Sequence, residues 1–232
     1  MRTILFIHRS VGRNLLRDGQ LRQLLAQAPA TSDIQLDDYD GNTGLITAGH
    51  PGTPPRRLIL PGRNTNPDNL LRFFTGELPA ELAKVRSYQT IIVKSCYPNS
   101  AITSDQALAN IQETYRQLAK TFAARPQQQL IIMTSPPLRP ERTNQQQAGR
   151  AHHLADWLMR GQWGPNVAVF DLHSLLAEST NPHAGMLAAP YRRLWPWDNH
   201  PNPLASRTAA KALTKLLALL EVPASPASQP AH

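Results

Sequence analysis

The chain has 232 residues, 41% of them hydrophobic and 17% charged, which is typical of a globular rather than a disordered chain. Its net charge of +8 permits an anionic substrate or nucleic acid. The basic residues are scattered, however, and the densest sets are the pairs Arg56-Arg57 and Arg192-Arg193. We therefore expect these charges to lie on a solvated surface and predict no specific nucleic-acid partner. The single cysteine, Cys96, excludes an internal disulfide, and no apolar run approaches the roughly 20 residues that span a bilayer. We therefore expect a cytoplasmic protein without membrane contact, although a signal peptide removed before Met1 is compatible with the sequence.

The first predicted strand leads directly to a serine. Residues 4–7 form a short apolar run typical of a buried parallel strand, and from Leu15 the apolar residues recur at helical spacing. Ser10 therefore lies at a strand-to-helix turn, on the sheet edge where α/β proteins bind ligands. Two interpretations are open: Ser10 is a helix N-cap, or it is a nucleophile whose backbone N–H helps to hold an oxyanion.

Strands and helices alternate along the rest of the chain. Further strands are predicted at residues 34–39, 90–93, 130–133 and 167–170, and helices at 15–25, 69–74, 80–85, 104–124, 144–159, 172–177 and 203–220. Residues 41–69, rich in Gly, Pro and Asn, are predicted to form a long loop over the ligand cleft. This alternation predicts a three-layer α/β/α sandwich with a five-stranded parallel sheet in the flavodoxin-like order 2-1-3-4-5. We place one domain at residues 1–221 and expect a disordered Pro/Ser/Ala tail at residues 222–232.

An acid and an imidazole stand close together before the last predicted helix. Asp198 precedes His200 by two residues, in a loop that leads to the same sheet edge as Ser10. A hydroxyl needs a base to act as a nucleophile, and the base needs an acceptor that orients it. Ser10, His200 and Asp198 can fill these three roles. A structural role in the turn is the alternative for both Asp198 and His200.

Several short segments, in order along the chain, resemble the sequence blocks of the GDSL/SGNH hydrolases, in particular a divergent branch that opens with His-x-Ser-Val-Gly. The segments that carry this resemblance are residues 6–12, 42–45, 61–65, 94–100, 134–138 and 198–202. The resemblance implies the SGNH-hydrolase version of the predicted sandwich and cleavage of esters through a covalent acyl-serine. It implies Ser10 as nucleophile, His200 as base and Asp198 as its partner. It also implies that the oxyanion is held by the N–H groups of Ser10 and Gly44 and by the side chain of Asn99.

The chain departs from the family pattern at three places. Arg9 replaces the acid that usually precedes the nucleophile, and the spacing from Asp198 to His200 is one residue shorter than usual. The third block normally contains a glycine, but residues 94–100 contain none. The oxyanion donors therefore stay open, and the alternatives to Gly44 and Asn99 are Asn64, Ser95 and Lys94.

These patterns predict a serine esterase that cleaves, or transfers, an ester-linked acyl group of a small-molecule or carbohydrate substrate. The missing glycine leaves an alternative, a non-catalytic module on the same fold that binds a glycan or polyanion. No His or Cys spacing predicts a metal site, and the glycine-rich fingerprints of nucleotide cofactors are absent, so we predict neither metal nor cofactor. No motif in the sequence sets the oligomeric state.

Overall fold

A computed structural model of the chain describes residues 1–50, 52–95, 100–195 and 197–220. In this part of the chain, seven strands form one sheet in the order β4-β3-β2-β1-β5-β6-β7. The strands are β1 (Arg2–His8), β2 (Ile34–Asp40), β3 (Leu45–Thr47), β4 (Arg56–Arg57), β5 (Thr90–Lys94), β6 (Gln129–Met133) and β7 (Val167–Phe170).

The five longer strands are parallel and follow the predicted order. The prediction of a sheet with five strands is nevertheless wrong, because β3 and β4 extend it by an antiparallel pair at the β2 edge. They lie in residues 41–69, which we predicted to be a loop. At three and two residues, these strands are too short for an alternating pattern to distinguish them from a loop.

The helices follow the predicted pattern closely. They are α1 (Ser10–Arg17), α2 (Leu21–Gln27), α3 (Pro67–Phe74), α4 (Pro79–Ala83), α5 (Asp105–Ala123), α6 (Gln145–Arg160), α7 (Leu172–Leu176) and α8 (Pro203–Leu219). The first predicted helix is divided into α1 and α2. The break falls at Gly19, where a Cβ would lie 2.6 Å from the Ser206 carbonyl oxygen on α8, and at Gln20, which has a left-handed φ of 54°.

Two apolar cores cover the two faces of the sheet. Alternate residues of β1 point to opposite faces, so Ile4 and Phe6 pack with the apolar residues of α1, α2 and α8, whereas Leu5 and Ile7 pack with those of α3, α5 and α6. The described residues thus form a central sheet between two helical layers. None of the described helices is both long enough and apolar enough to cross a bilayer.

The direction of α8 fixes where the loop before it lies. The Arg2 guanidinium, at the start of β1, donates a hydrogen bond to the Leu217 carbonyl oxygen near the end of α8 (3.0 Å). The helix therefore runs from the carboxyl edge of the parallel strands back to their amino edge. Asp198 and His200, which precede α8, accordingly share the carboxyl edge with Ser10. The predicted tail at 222–232 lies outside the described residues.

Candidate active site

Ser10 is the first residue of α1, one residue beyond the strand-to-helix turn at Arg9. It is half-buried, and the N-cap position falls on Arg9, whose side chain makes no capping hydrogen bond. The first N–H groups of a helix have no partner within the helix, so the Ser10 N–H is a backbone donor at the positive end of α1. Ser10 is thus the first helical residue of α1 and not its N-cap.

His8 fixes the peptide group that carries this donor. Its Nδ1 lies 2.8 Å from the Arg9 carbonyl oxygen. Because a peptide unit is planar and trans, holding the Arg9 C=O on one side directs the Ser10 N–H to the other. The sequence did not indicate this role for His8, although the histidine lies in the segment 6–12 that carries the resemblance.

The other ring nitrogen of His8 faces a carboxylate. His8 Nε2 lies 3.0 Å from Asp38 Oδ2, and Arg22 binds the second oxygen of the same carboxylate. Burial raises the pKa of Asp38, but the hydrogen bond from His8 and the charges of His8 and Arg22 outweigh it, and the pKa lies below its ordinary value. His8 thus links the peptide group before Ser10 to the ion pair of Asp38 with Arg22.

Asp198 and His200 form the acid–imidazole pair expected from the sequence. Asp198 Oδ1 lies 2.6 Å from His200 Nδ1 and also accepts the His200 backbone N–H at 2.9 Å. The carboxylate therefore closes a tight turn and binds the imidazole at the same time, which explains how a spacing of two residues is sufficient. With Nδ1 bound to Asp198, Nε2 is the nitrogen that can accept a proton.

The charge of Asp198 is held by its neighbours. Burial raises the pKa of this carboxyl. The two hydrogen bonds from His200 and the nearby charges of His200 and Arg193 lower it by more, so the pKa lies below its ordinary value. Arg193 Nε lies 3.4 Å from Asp198 Oδ2, and its Nη2 lies 3.7 Å from Asp18 at the end of α1. Arg193 thus belongs to an ion-pair network that joins α1 to the loop before α8.

Arg139, in the segment that follows β6, binds main-chain oxygens of the loop before α8. Its Nη1 lies 2.8 Å from the Arg193 carbonyl oxygen, 3.0 Å from that of Trp195 and 3.4 Å from that of Asp198. The side chain is only 6% exposed. Sequence reasoning missed this role, because an arginine between prolines carries no local sign that it will bind main-chain oxygens more than 50 residues away.

The sheet edge therefore holds both halves of the expected triad. Within the residues that the structure describes, however, Ser10 Oγ makes no hydrogen bond to His200. Catalytic hydrogen bonds in ligand-free enzymes are often long and tighten only when substrate binds. The acid–imidazole pair is thus assembled, whereas its link to the serine is not.

The candidate oxyanion donors differ in how they are engaged. The Gly44 N–H donates to the Asp40 carbonyl oxygen at 2.9 Å, within a turn in which Gly44 has a φ of 72°. Asn64 Oδ1 accepts from Arg9 Nη1 at 3.2 Å and from the Thr65 N–H at 2.7 Å, so the amide NH₂ of Asn64 remains as a donor.

The candidates at the end of β5 are deeply buried. Lys94 Nζ donates to the Ser95 carbonyl oxygen at 2.5 Å, and the Ser95 side chain shares a hydrogen bond with the Tyr115 hydroxyl. Burial raises the pKa of Tyr115 well above its ordinary value, so the hydroxyl stays neutral. Asn99 lies outside the described residues.

Comparison with known proteins supports the fold. A crystal structure of a candidate acylhydrolase from Bacteroides fragilis superimposes with a TM-score of 0.51 and 12% sequence identity, covering 93% of this chain and 86% of that chain. A candidate platelet activating factor from Streptococcus pneumoniae gives a TM-score of 0.51 and 13% identity, covering 93% and 84%. No protein family model and no curated protein matches the sequence. At these identities the likeness concerns the fold, and the chain shares the α/β fold of these two proteins.

Proposed function

We propose that the protein is a serine hydrolase that cleaves a carboxylic ester through an acyl-serine intermediate. The observation that carries this proposal is the 2.6 Å contact between His200 Nδ1 and Asp198 Oδ1, at the sheet edge where α1 begins with Ser10. The resemblance of the first and last sequence blocks to the SGNH hydrolases, and the fold shared with a candidate acylhydrolase, support the same reaction class.

In the first half-reaction, Ser10 Oγ attacks the ester carbonyl carbon and His200 Nε2 takes the hydroxyl proton. The bond from that carbon to the alcohol oxygen then breaks, and the departing alcohol takes the proton from His200. In the second half-reaction, water attacks the acyl-serine, its proton passes to His200 and then to Ser10 Oγ, and the carboxylic acid leaves. Asp198 keeps Nδ1 protonated and stabilises the imidazolium that forms twice.

Two donors are assigned to the oxyanion. The Ser10 N–H is oriented by the contact of His8 with the Arg9 carbonyl, and the Asn64 amide group is oriented by its two accepted hydrogen bonds. Removing one such donor costs about a hundredfold or more in rate in serine hydrolases. We prefer Asn64 to Gly44 here because the Gly44 N–H already donates within its own turn.

A fluorophosphonate probe tests the assignment of Ser10. It phosphonylates an activated serine, so we expect one adduct, mapped by mass spectrometry to Ser10, and loss of that adduct in Ser10→Ala and in His200→Ala. Hydrolysis of 4-nitrophenyl acetate should disappear in the same two variants. Equal hydrolysis by the wild type and Ser10→Ala would remove Ser10 as nucleophile. Absence of both labelling and hydrolysis in the wild type would favour the non-catalytic binding module.

A further inference from the structure

Three arginines line one cavity, and one of them, Arg9, directly precedes Ser10 in the chain. The cavity has a volume of about 360 Å³, and Arg9, Arg57 and Arg63 contribute to its wall. The turn 41–44 and residues 58–60 form most of the rest. The fold therefore brings Arg9, the residue before the candidate nucleophile, to the same cavity wall as Arg57 and Arg63.

The backbone brings each arginine to this wall. Arg9 lies between β1 and α1, directly before Ser10, and Arg57 lies on β4, the edge strand that was not predicted. Arg63 follows Gly62, and both have a left-handed φ, 61° for Gly62 and 50° for Arg63. Arg57 and Arg63 are exposed, whereas Arg9 is half-buried.

The guanidinium of Arg9 is oriented without being neutralised. Its Nε donates to Asn42 Oδ1 at 3.0 Å and its Nη1 donates to Asn64 Oδ1 at 3.2 Å. Both acceptors are uncharged amides, so the positive charge remains. The same Asn64 is the proposed oxyanion donor, which places the charge of Arg9 close to the reacting carbonyl.

The carboxylates nearest to the cavity are bound by other partners. Asp40 accepts from Arg13 Nε at 2.7 Å and from the Asn42 N–H at 2.9 Å. The charge of Arg57 contributes to lowering the pKa of Glu81, but the hydrogen bonds of this carboxylate go to other groups. It accepts from Lys84 Nζ at 2.7 Å and from the Ile59 N–H at 2.8 Å. Among the described residues, Arg9, Arg57 and Arg63 form no ion pair with any carboxylate.

Like charges that converge on one cavity repel each other, and the fold gains no ion pair from these three. An anion in the cavity would relieve that repulsion, and a guanidinium binds carboxylate or phosphate oxygens with two parallel hydrogen bonds. We propose that this cavity binds an anionic group of the substrate, so that the enzyme acts on esters that carry a carboxylate, phosphate or sulfate near the scissile bond. The substrate class rests on the proposed esterase function, whereas anion binding by the cavity does not.

Binding of an ester to the Ser10→Ala variant, which cannot cleave it, tests the cavity separately from catalysis. The probes are monomethyl glutarate and the analogue in which a carboxamide replaces its carboxylate, titrated into Ser10→Ala by calorimetry at low ionic strength. We expect the anion to bind about tenfold more tightly than the amide, since two or three partly exposed ion pairs are worth about this much. The preference should shrink to about twofold in 0.5 M NaCl, because salt screens exposed charges.

Replacement of the arginines locates the binding site. We expect Arg57→Gln and Arg63→Gln, each introduced into Ser10→Ala, to reduce the preference for the anion by about threefold, and the double replacement to abolish it. Arg86→Gln is the matched control, because Arg86 is exposed and precedes β5, at the amino ends of the parallel strands. A preference that is absent, or that falls equally in Arg86→Gln, would overturn the proposal.

The wild-type protein then separates the two proposals. If it hydrolyses mono-4-nitrophenyl glutarate and 4-nitrophenyl pentanoate with equal kcat/KM, the esterase function stands and the anionic substrate class is wrong. If Ser10→Ala and the wild type both bind monomethyl glutarate and the wild type hydrolyses neither 4-nitrophenyl ester, the anion site stands and the esterase function is wrong.

Discussion

His8 fills the space that a side chain at Gly12 would need: a Cβ at Gly12 would lie 2.3 Å from the Cβ of His8 and 2.4 Å from its Cγ. Only a glycine at this position of α1 lets the imidazole lie against the first turn of the helix. In that place His8 holds the Arg9–Ser10 peptide through its 2.8 Å contact with the Arg9 carbonyl oxygen. The glycine and the histidine of the first sequence block are thus two parts of one support for Ser10.

Gly12→Ala should therefore destabilise the protein, although alanine is the better helix former. Forcing a methyl group against His8 should lower the free energy of unfolding by about 1–3 kcal/mol, measured by urea denaturation. Gly149→Ala is the matched control, since Gly149 lies within α6 and a Cβ there has nothing within 4 Å. The control should gain about 0.5–1 kcal/mol from helix propensity. Equal stabilisation by both changes would show that His8 moves freely out of the way.

The sequence was sufficient for the parts of the fold that are locally encoded. The core strands were found because their apolar, β-branched runs are continuous, and Ser104 and Asn144 were placed at helix starts, where their side chains accept the N–H groups of Ala107 and Gln147. The acid–imidazole pair was also predictable, because Asp198 and His200 are neighbours in the chain. The same local logic failed for β3, which pairs with β2, and for β4, which pairs with β3.

Features that depend on distant contacts were not predictable in this way. Arg139 binds carbonyl oxygens 54 to 59 residues away. The arginine-lined cavity likewise assembles Arg9, Arg57 and Arg63 from three separate turns and strands. Each of these arginines looks like an ordinary surface residue in the sequence, because its function arises only after the chain has folded.

His173 should make stability depend on pH. Burial, with a smaller contribution from His152, lowers the pKa of His173 to about 4, although Asp171 and the Ser135 carbonyl oppose the shift. The unfolded chain takes up a proton near pH 6.5 and the folded chain does so only near pH 4, so the folded state is fully favoured above pH 6.5. Stability should fall by about 3 kcal/mol between these values, at about 1.4 kcal/mol per pH unit.

Urea denaturation at a series of pH values between 7 and 4 measures this dependence. His173→Gln should remove most of the slope, because the amide does not titrate in this range. His153→Gln is the control, since His153 is exposed on α6 and its replacement should leave the slope unchanged. A slope that survives in His173→Gln would assign the acid sensitivity to another group.

Arg139→Gln should disorganise the loop that carries Asp198. The buried guanidinium binds three main-chain oxygens of this loop, and their loss should reduce kcat/KM for 4-nitrophenyl acetate by about tenfold or more and stability by about 2 kcal/mol. Arg139→Lys should recover only part of the effect, because an ammonium group lacks the planar array of donors. Arg142→Gln is the control, since Arg142 is exposed and contacts the same loop through one bond of 3.4 Å. Comparable losses in the Arg142 and Arg139 variants would contradict this role.

Asp198→Asn tests whether the acid orients the base or merely closes the turn. An asparagine can still accept the His200 backbone N–H, so the turn and the stability should be largely kept. The amide carries no charge to stabilise the imidazolium and no longer selects the required tautomer, so kcat for 4-nitrophenyl acetate should fall by about 10³–10⁴-fold. Asp156→Asn, on the surface of α6, is the control and should leave kcat unchanged.

The pH dependence of the rate adds a second readout. Because the pKa of Asp198 lies below its ordinary value, the wild type should not lose activity through this carboxyl between pH 5 and 8, whereas Asp198→Asn should be slow throughout that range. If Asp198→Asn keeps the wild-type kcat, the pair is a structural turn, and the base for Ser10 must be another residue.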